Sequence, residues 1–234
     1  MTPVGARLFA RLALIGDPIP RDAAFNMAAD EQLLASAGSG PLLRLYRWER
    51  PAISIGYFIP FADARAAFPD REIVRRWTGG GLVEHFDDFT YSLLVPSEEP
   101  LARLAARDAY GQIHLAIAQA LKEAGLETAP LALSHAPASP AGGACFANPA
   151  PRDLLAGGRK IGGAAQRRTR SGLLHQGSVL LPGAAPGWRE KLGEALPGTL
   201  AEFPAPRTFS LADAEASQQL ANAKYATAAW REKF

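Results

Sequence analysis

Three features of the sequence predict an α+β fold. Short segments of strand character come in two runs, residues 42–95 and 159–182. Helical patterns are few and do not alternate one for one with the strands. The clearest of them, residues 101–125, falls between the two runs. Strict alternation would indicate a doubly wound parallel sheet, whereas runs of strands broken by occasional helices indicate α+β.

The elements follow from local pattern. "FNMAADEQLLASAG" (25–38) has helical spacing, a charged face at Asp30 and Glu31, and a stop at Gly38. "LLRLYRW" and "AISIGY" read as strands separated by a turn around Pro51. "REIVRRW", "GLVEHF" and "FTYSLLV" read as three more. In 101–125, Leu104, Ile113, Ala116, Ile117 and Leu121 form an apolar stripe, and Gly125 ends the helix. "RKIGGAAQRR" and "GLLHQGSVLLP" pair through a turn near Ser171 and Gly172, and residues 211–234 return to helix.

At 234 residues, 48% hydrophobic and 21% charged, the chain has globular composition and length for one sizeable core. A single domain spanning 1–234 is expected. The Ala/Pro/Gly/Ser-rich segment 130–151 reads as a mobile loop inside it. No run of eighteen apolar residues and no basic-then-apolar leader occurs, so a soluble, cytoplasmic protein without a membrane partner is expected. One cysteine makes no internal disulfide and no zinc site, which fits a reducing compartment. A net charge of +2 does not argue for nucleic acid. The local cluster Arg159, Lys160, Arg167, Arg168 and Arg170 reads either as a solvated strand edge or as a surface for an acidic partner.

Two stretches bear on chemistry. In "VRRWTGGGLVEHF", Gly79, Gly80 and Gly81 lie between strands. Side-chain-free backbone serves either a tight turn or close approach of a ligand. Arg75, Arg76 and His85 would surround such a ligand with donors. No "GK[ST]" follows, so this is not a Walker loop. Asp87 and Asp88 lack diagnostic metal spacing and read as a solvated turn; no metal site is expected. His114 reads as a packing or surface residue of its helix. The other stretch is "ACFANPAPRDLLAGGRKIGGAAQ", with Cys145 in the loop and Lys160 fifteen residues later. Cys145 is either a nucleophile served by that lysine or a small loop residue. A thiol of pKa about 8.5 is mostly protonated at pH 7, and a nearby ammonium favours its anion.

Taken in order, "NMAADEQLL", "LLRLYRWERPAISIGYF", "RRWTGGGLVEHFDDFTYSL", "GRKIGGAAQRRTRSGLLHQGSVLL" and "KYATAAWREKF" resemble the lipoate–protein ligase and octanoyltransferase family, which includes the biotin–protein ligases. The resemblance runs nearly end to end. It implies one α+β catalytic domain with a mixed, largely antiparallel sheet flanked by helices. "FTYS", and "CF" fifteen residues before the lysine, resemble the cysteine-dependent octanoyltransferase branch. The three glycines resemble the ligases; the transferase branch often has arginine where Gly81 stands.

The resemblance implies transfer of an octanoyl or lipoyl group from acyl carrier protein to a lysine of a lipoyl domain or a glycine-cleavage H-type protein. Cys145 would be the nucleophile and Lys160 the polarising cation. The implied acyl site comprises Arg75, Arg76, Thr78, Gly79, Gly80, Gly81, His85, Tyr91, Gly162, Gly163, Ala164 and His175. This chemistry needs no cofactor. The alternatives are a lipoate–protein ligase, which needs ATP and magnesium, and a non-catalytic acyl-binding protein. Burying seven methylene or methyl carbons at about 0.8 kcal/mol each gives roughly 5 kcal/mol, enough to prefer a medium chain over acetyl.

Overall fold

The computed structural model describes residues 7–36, 38, 40–127, 129–135 and 149–234. Two sheets are formed. The larger uses β1 (Phe9–Gly16), β2 (Leu42–Tyr46), β6 (Phe89–Pro96), β7 (Leu131–Leu133), β8 (Leu154–Ala156), β9 (Arg159–Arg168), β10 (Gly172–Val179) and β11 (Ala201–Pro206). Its order is β11-β1-β2-β6-β10-β9-β8-β7. The pairs from β2 through to β7 are antiparallel, while β1 runs parallel to both β2 and β11. The smaller sheet has the order β4-β3-β5, from β3 (Ala52–Ile55), β4 (Glu72–Arg75) and β5 (Leu82–His85). A mixed, largely antiparallel architecture flanked by helices is therefore the observed fold class.

Helices cover both faces of the large sheet. On one lies α1 (Ala23–Ala35), started by Asp22, whose carboxylate accepts the Phe25 N–H at 2.7 Å. On the other lie α4 (Ala106–Glu123) and α5 (Trp188–Leu200). The α4 stripe Ala109, Ile113, Ala116, Ile117, Ala120 and Leu121 packs with Leu43, Leu93, Val95 and Leu173 of the sheet in the main core. Strands β6 and β10 are buried along their whole length, so their polar residues Thr90, Ser92, His175, Gln176 and Ser178 are interior too.

The structure corrects several details. The long helical pattern is two helices, a short α3 (Pro100–Arg103) and α4, with Leu104 between them partly buried against the core. Within 130–151, Leu131–Leu133 is a strand paired with β8, so that segment is not all loop. The C-terminal helical stretch breaks into α6 (Leu211–Leu220), a π-helical turn (Ala221–Tyr225) and α7 (Ala228–Arg231). Strands β1 and β11 and the short helix α2 (Phe61–Ala67) were not legible beforehand. β11, "AEFPAP", carries two prolines and is mostly exposed, tolerated because it is an edge strand. No helix among the described residues is long and apolar enough to cross a membrane.

Candidate active site

The two sheets face one another across a cavity beside α1. Met27, Trp48, Ser54, Val83, Thr90, Gln176 and Gly177 line it, together with Arg76, Gly80 and His85 from the glycine motif and Gly163 and Ala164 from β9. Glycines and alanines on β9 leave an open wall, while Met27 and Trp48 supply apolar surface.

The glycine turn is built by backbone approach. A Cβ at Gly56, just after β3, would fall 1.9 Å from the Gly80 carbonyl oxygen. Gly80 itself has φ of 84°, the left-handed region that favours glycine. The Gly56 N–H donates to Gly81 O at 3.1 Å and the Tyr57 N–H to Thr78 O at 2.9 Å. Arg76 ties the turn down from inside: Nη2 donates to the carbonyls of Gly79 and Gly81 at 3.0 and 2.9 Å, and Nη1 to Ser54 O and Oγ at 2.7 Å each. The glycines thus form a tight turn whose central residue also lines the cavity.

His85 stacks on Trp48 with ring centroids 4.1 Å apart. Its Nε2 is 2.6 Å from Ser54 Oγ and its Nδ1 2.8 Å from Asp88 Oδ2. Asp88, read from sequence as a solvated turn, is instead buried and also accepts from Thr90 Oγ1 at 2.9 Å and Ser178 Oγ at 2.6 Å. Burial pushes its carboxyl up, but the charge and donation of His85 and the two hydroxyls prevail and hold it below the usual range. Asp87 is the exposed one of the pair.

A second buried network starts at Thr78, whose hydroxyl donates to Gln176 Oε1 at 2.7 Å. Gln176 Nε2 donates to Asp30 Oδ2 at 2.8 Å, where Ser92 Oγ also donates, and Arg44 Nη1 donates to Asp30 Oδ1 at 3.0 Å. Asp30 therefore lies in the interior and not on the charged outer face of α1. A lone buried carboxylate is costly; the donors of Tyr46, Ser92 and Gln176 and the Arg44 guanidinium make this one tolerable.

Lys160 and Asp153 form a third arrangement. Lys160 Nζ is 2.6 Å from Asp153 Oδ2, with 2% and 1% of their side chains exposed. A Cβ on Gly163 would fall 2.8 Å from Lys160 Cε and 2.9 Å from Nζ, so the ammonium lies directly against the small-residue wall. Asp153 was not singled out from sequence; a lone acid seven residues before the lysine gave no signal of pairing.

Several expected site residues lie elsewhere. Arg75 is turned away from the cavity, its guanidinium donating to the carbonyls of Gly56, Tyr57, Ile59, Trp230 and Arg231. It clamps the chain after β3 to the C-terminal segment. Tyr91 and His175 are on the opposite face of the sheet, 3.1 Å apart between Tyr91 Oη and His175 Nε2. Gly162 packs against Leu154 and Val179. His114 is a packing residue, buried, with Nδ1–H donating to Arg152 O at 2.9 Å. Cys145 lies outside the described residues.

Residues 22–200 match the model of the lipoyl protein ligase A/B catalytic domain. The chain is 39% identical over 170 residues to octanoyltransferase LipM of Oceanobacillus iheyensis, covering 69% of this chain and 61% of that protein. It is 34% identical over 173 residues to octanoyltransferase LipM of Staphylococcus aureus, covering 68% and 62%. The match thus spans about three-fifths of these relatives. Among solved structures, lipoate-protein ligase A bound with ATP superposes with a TM-score of 0.72 at 22% identity, covering 96% of this chain and 98% of that one. A bipartite lipoate protein ligase from Thermoplasma acidophilum gives a TM-score of 0.68 at 21% identity, over 97% of each chain. These structural likenesses establish the fold, and the family match covers most of the chain, including the glycine turn, Asp153 and Lys160. The chain belongs to the lipoyl protein ligase A/B catalytic domain family.

Proposed function

We propose that this protein transfers an octanoyl group, without ATP, from acyl carrier protein to a lysine of a lipoyl domain or an H-type glycine-cleavage protein in the cytoplasm. One observation carries the reading: a buried ammonium, Lys160, lies against Gly163 at a cavity with an apolar wall. The octanoyltransferase names of the relatives support it.

In this mechanism the Cys145 thiolate attacks the thioester carbonyl. A new C–S bond forms, the old one breaks, and the pantetheine thiolate leaves and takes a proton. One thioester replaces another, so little free energy changes. The unprotonated acceptor lysine then attacks the acyl-enzyme: the amide C–N bond forms, the C–S bond to Cys145 breaks, and the amine proton passes to solvent or to the released sulfur. Lys160 stabilises the oxyanion that develops in each step, a role whose value grows in a water-poor site. Arg76 and His85 hold Gly79, Gly80 and Gly81 and the cavity wall in place, and Gly163 and Ala164 leave room for the acyl chain.

The test is the intact mass of an apo lipoyl domain after incubation with this protein and octanoyl–acyl carrier protein, ATP omitted. A gain of one octanoyl group that disappears in Cys145→Ala supports the proposal. Modification only with ATP, magnesium and free octanoate identifies a ligase and leaves Cys145 a loop residue.

A further inference from the structure

The Lys160–Asp153 pair is held from α4. Tyr110 Oη donates to Asp153 Oδ1 at 2.5 Å and accepts the Ala164 N–H at 2.8 Å. The other carboxylate oxygen, Oδ2, receives Lys160 Nζ and the Ala150 N–H, each at 2.6 Å. A single phenol therefore joins the partner of Lys160 to a residue of the cavity wall.

The backbone around Asp153 is unusual. Arg152 has φ of 70°, a left-handed conformation that is strained for a non-glycine residue. Its N–H donates to Ser134 O at 2.8 Å, its carbonyl accepts from His114, and its stem passes over Gly111. Tyr110, Gly111 and His114 are thus one patch of α4 that grips the turn bearing Asp153.

We propose that Tyr110 is a positioning residue: its hydroxyl fixes the Asp153 carboxylate and, through it, the Lys160 ammonium at the cavity wall. The inference rests on Lys160 acting as the polarising cation described above. Among the described residues, the titratable groups that bear on the pair are Tyr110 and His114 of α4 and Tyr91 of β6, with His175 of β10 behind Tyr110 and His114. Burial first, then Asp153, keeps both tyrosines protonated, and burial keeps both histidines neutral. Among these groups Asp153 is the charge paired with Lys160, and Tyr110 is a permanent donor to it.

The experiment follows Lys160 and turnover separately. The chain has five lysines, so lysine labelled with carbon-13 at Cε gives few NMR signals, and Lys160→Met assigns the one needed. Tyr110→Phe removes a donor and leaves more negative charge on the Asp153 carboxylate that faces the ammonium, so the Lys160 titration moves to higher pH. Asp153→Asn moves it to lower pH. In Tyr110→Phe, kcat for octanoyl transfer falls about tenfold, the worth of a hydrogen bond to a charged group, with KM for the acyl donor nearly unchanged. Replacing Tyr110 by 3-fluorotyrosine, a stronger donor of the same shape, moves the titration down and serves if Tyr110→Phe does not fold. A Lys160 titration that stays put in both Tyr110 variants overturns the proposal. Titrations that split as stated, without ATP-independent transfer by the native protein, support the positioning and overturn the transferase reading instead.

Discussion

The Lys160 ammonium and the Asp153 carboxylate meet at 2.6 Å with both side chains all but removed from water. Such a pair is held by mutual neutralisation. Removing one member leaves an unpaired buried charge, which costs about 3–5 kcal/mol. Asp153→Ala is therefore expected to lose that much stability in urea denaturation. The double variant Asp153→Leu/Lys160→Met is expected to recover most of it while losing transfer. A single variant within about 1 kcal/mol of the native protein would contradict this account.

Gly56 and Gly79 make opposite predictions within one turn. A methyl group at Gly56 meets the Gly80 carbonyl at 1.9 Å, where neither backbone can yield cheaply. Gly56→Ala is expected to cost about 1–3 kcal/mol or more and to displace the turn from the cavity. Gly79 has nothing within 4 Å of the same position and no left-handed φ. Gly79→Ala should stay within about 0.5 kcal/mol. Thermal melts of the two variants side by side decide it.

Burial lowers the His114 imidazole from 6.5 to about 4, so it is neutral in the folded protein at pH 5. Between those values the unfolded chain binds a proton that the folded chain does not, and stability rises with pH. The contribution is complete above pH 6.5 and is lost as pH falls toward 4, amounting to about 3 kcal/mol. Urea denaturation at pH 4.5 and 7 should show a smaller difference in His114→Gln than in the native protein. An unchanged difference would show that the ring is not held neutral. His175, also held low by burial, is present in both proteins and cancels.

Much of the fold was legible in sequence. Alternating apolar residues marked β2 and β3, strand-like strings marked β6, β9 and β10, and the stripe through Ile113, Ile117 and Leu121 marked α4. β11 escaped because "AEFPAP" owes its pairing to the neighbouring β1 and not to its own strand propensity. Of the site, the glycine turn, Lys160 and His85 were legible because each sits in a distinctive local string. Arg75 and Arg76 are adjacent and chemically identical in sequence, yet one braces the cavity and the other clamps the C-terminal segment. Strand alternation sends neighbours to opposite sides, and only the packed sheet shows which side holds the cavity.

The sequence by itself determined the fold class, the family resemblance and the string of residues around Lys160. Tertiary structure decided which polar residues go inside. Asp30 and Asp88 look like surface acids in one dimension, and Asp153 like an ordinary loop acid. Each is buried with donors that include ones from distant segments: Gln176 and Arg44 on Asp30, Ser178 on Asp88, Tyr110 on Asp153. The cost of burying a charge is met by partners far apart in the chain, and local sequence carries no record of where those partners will be.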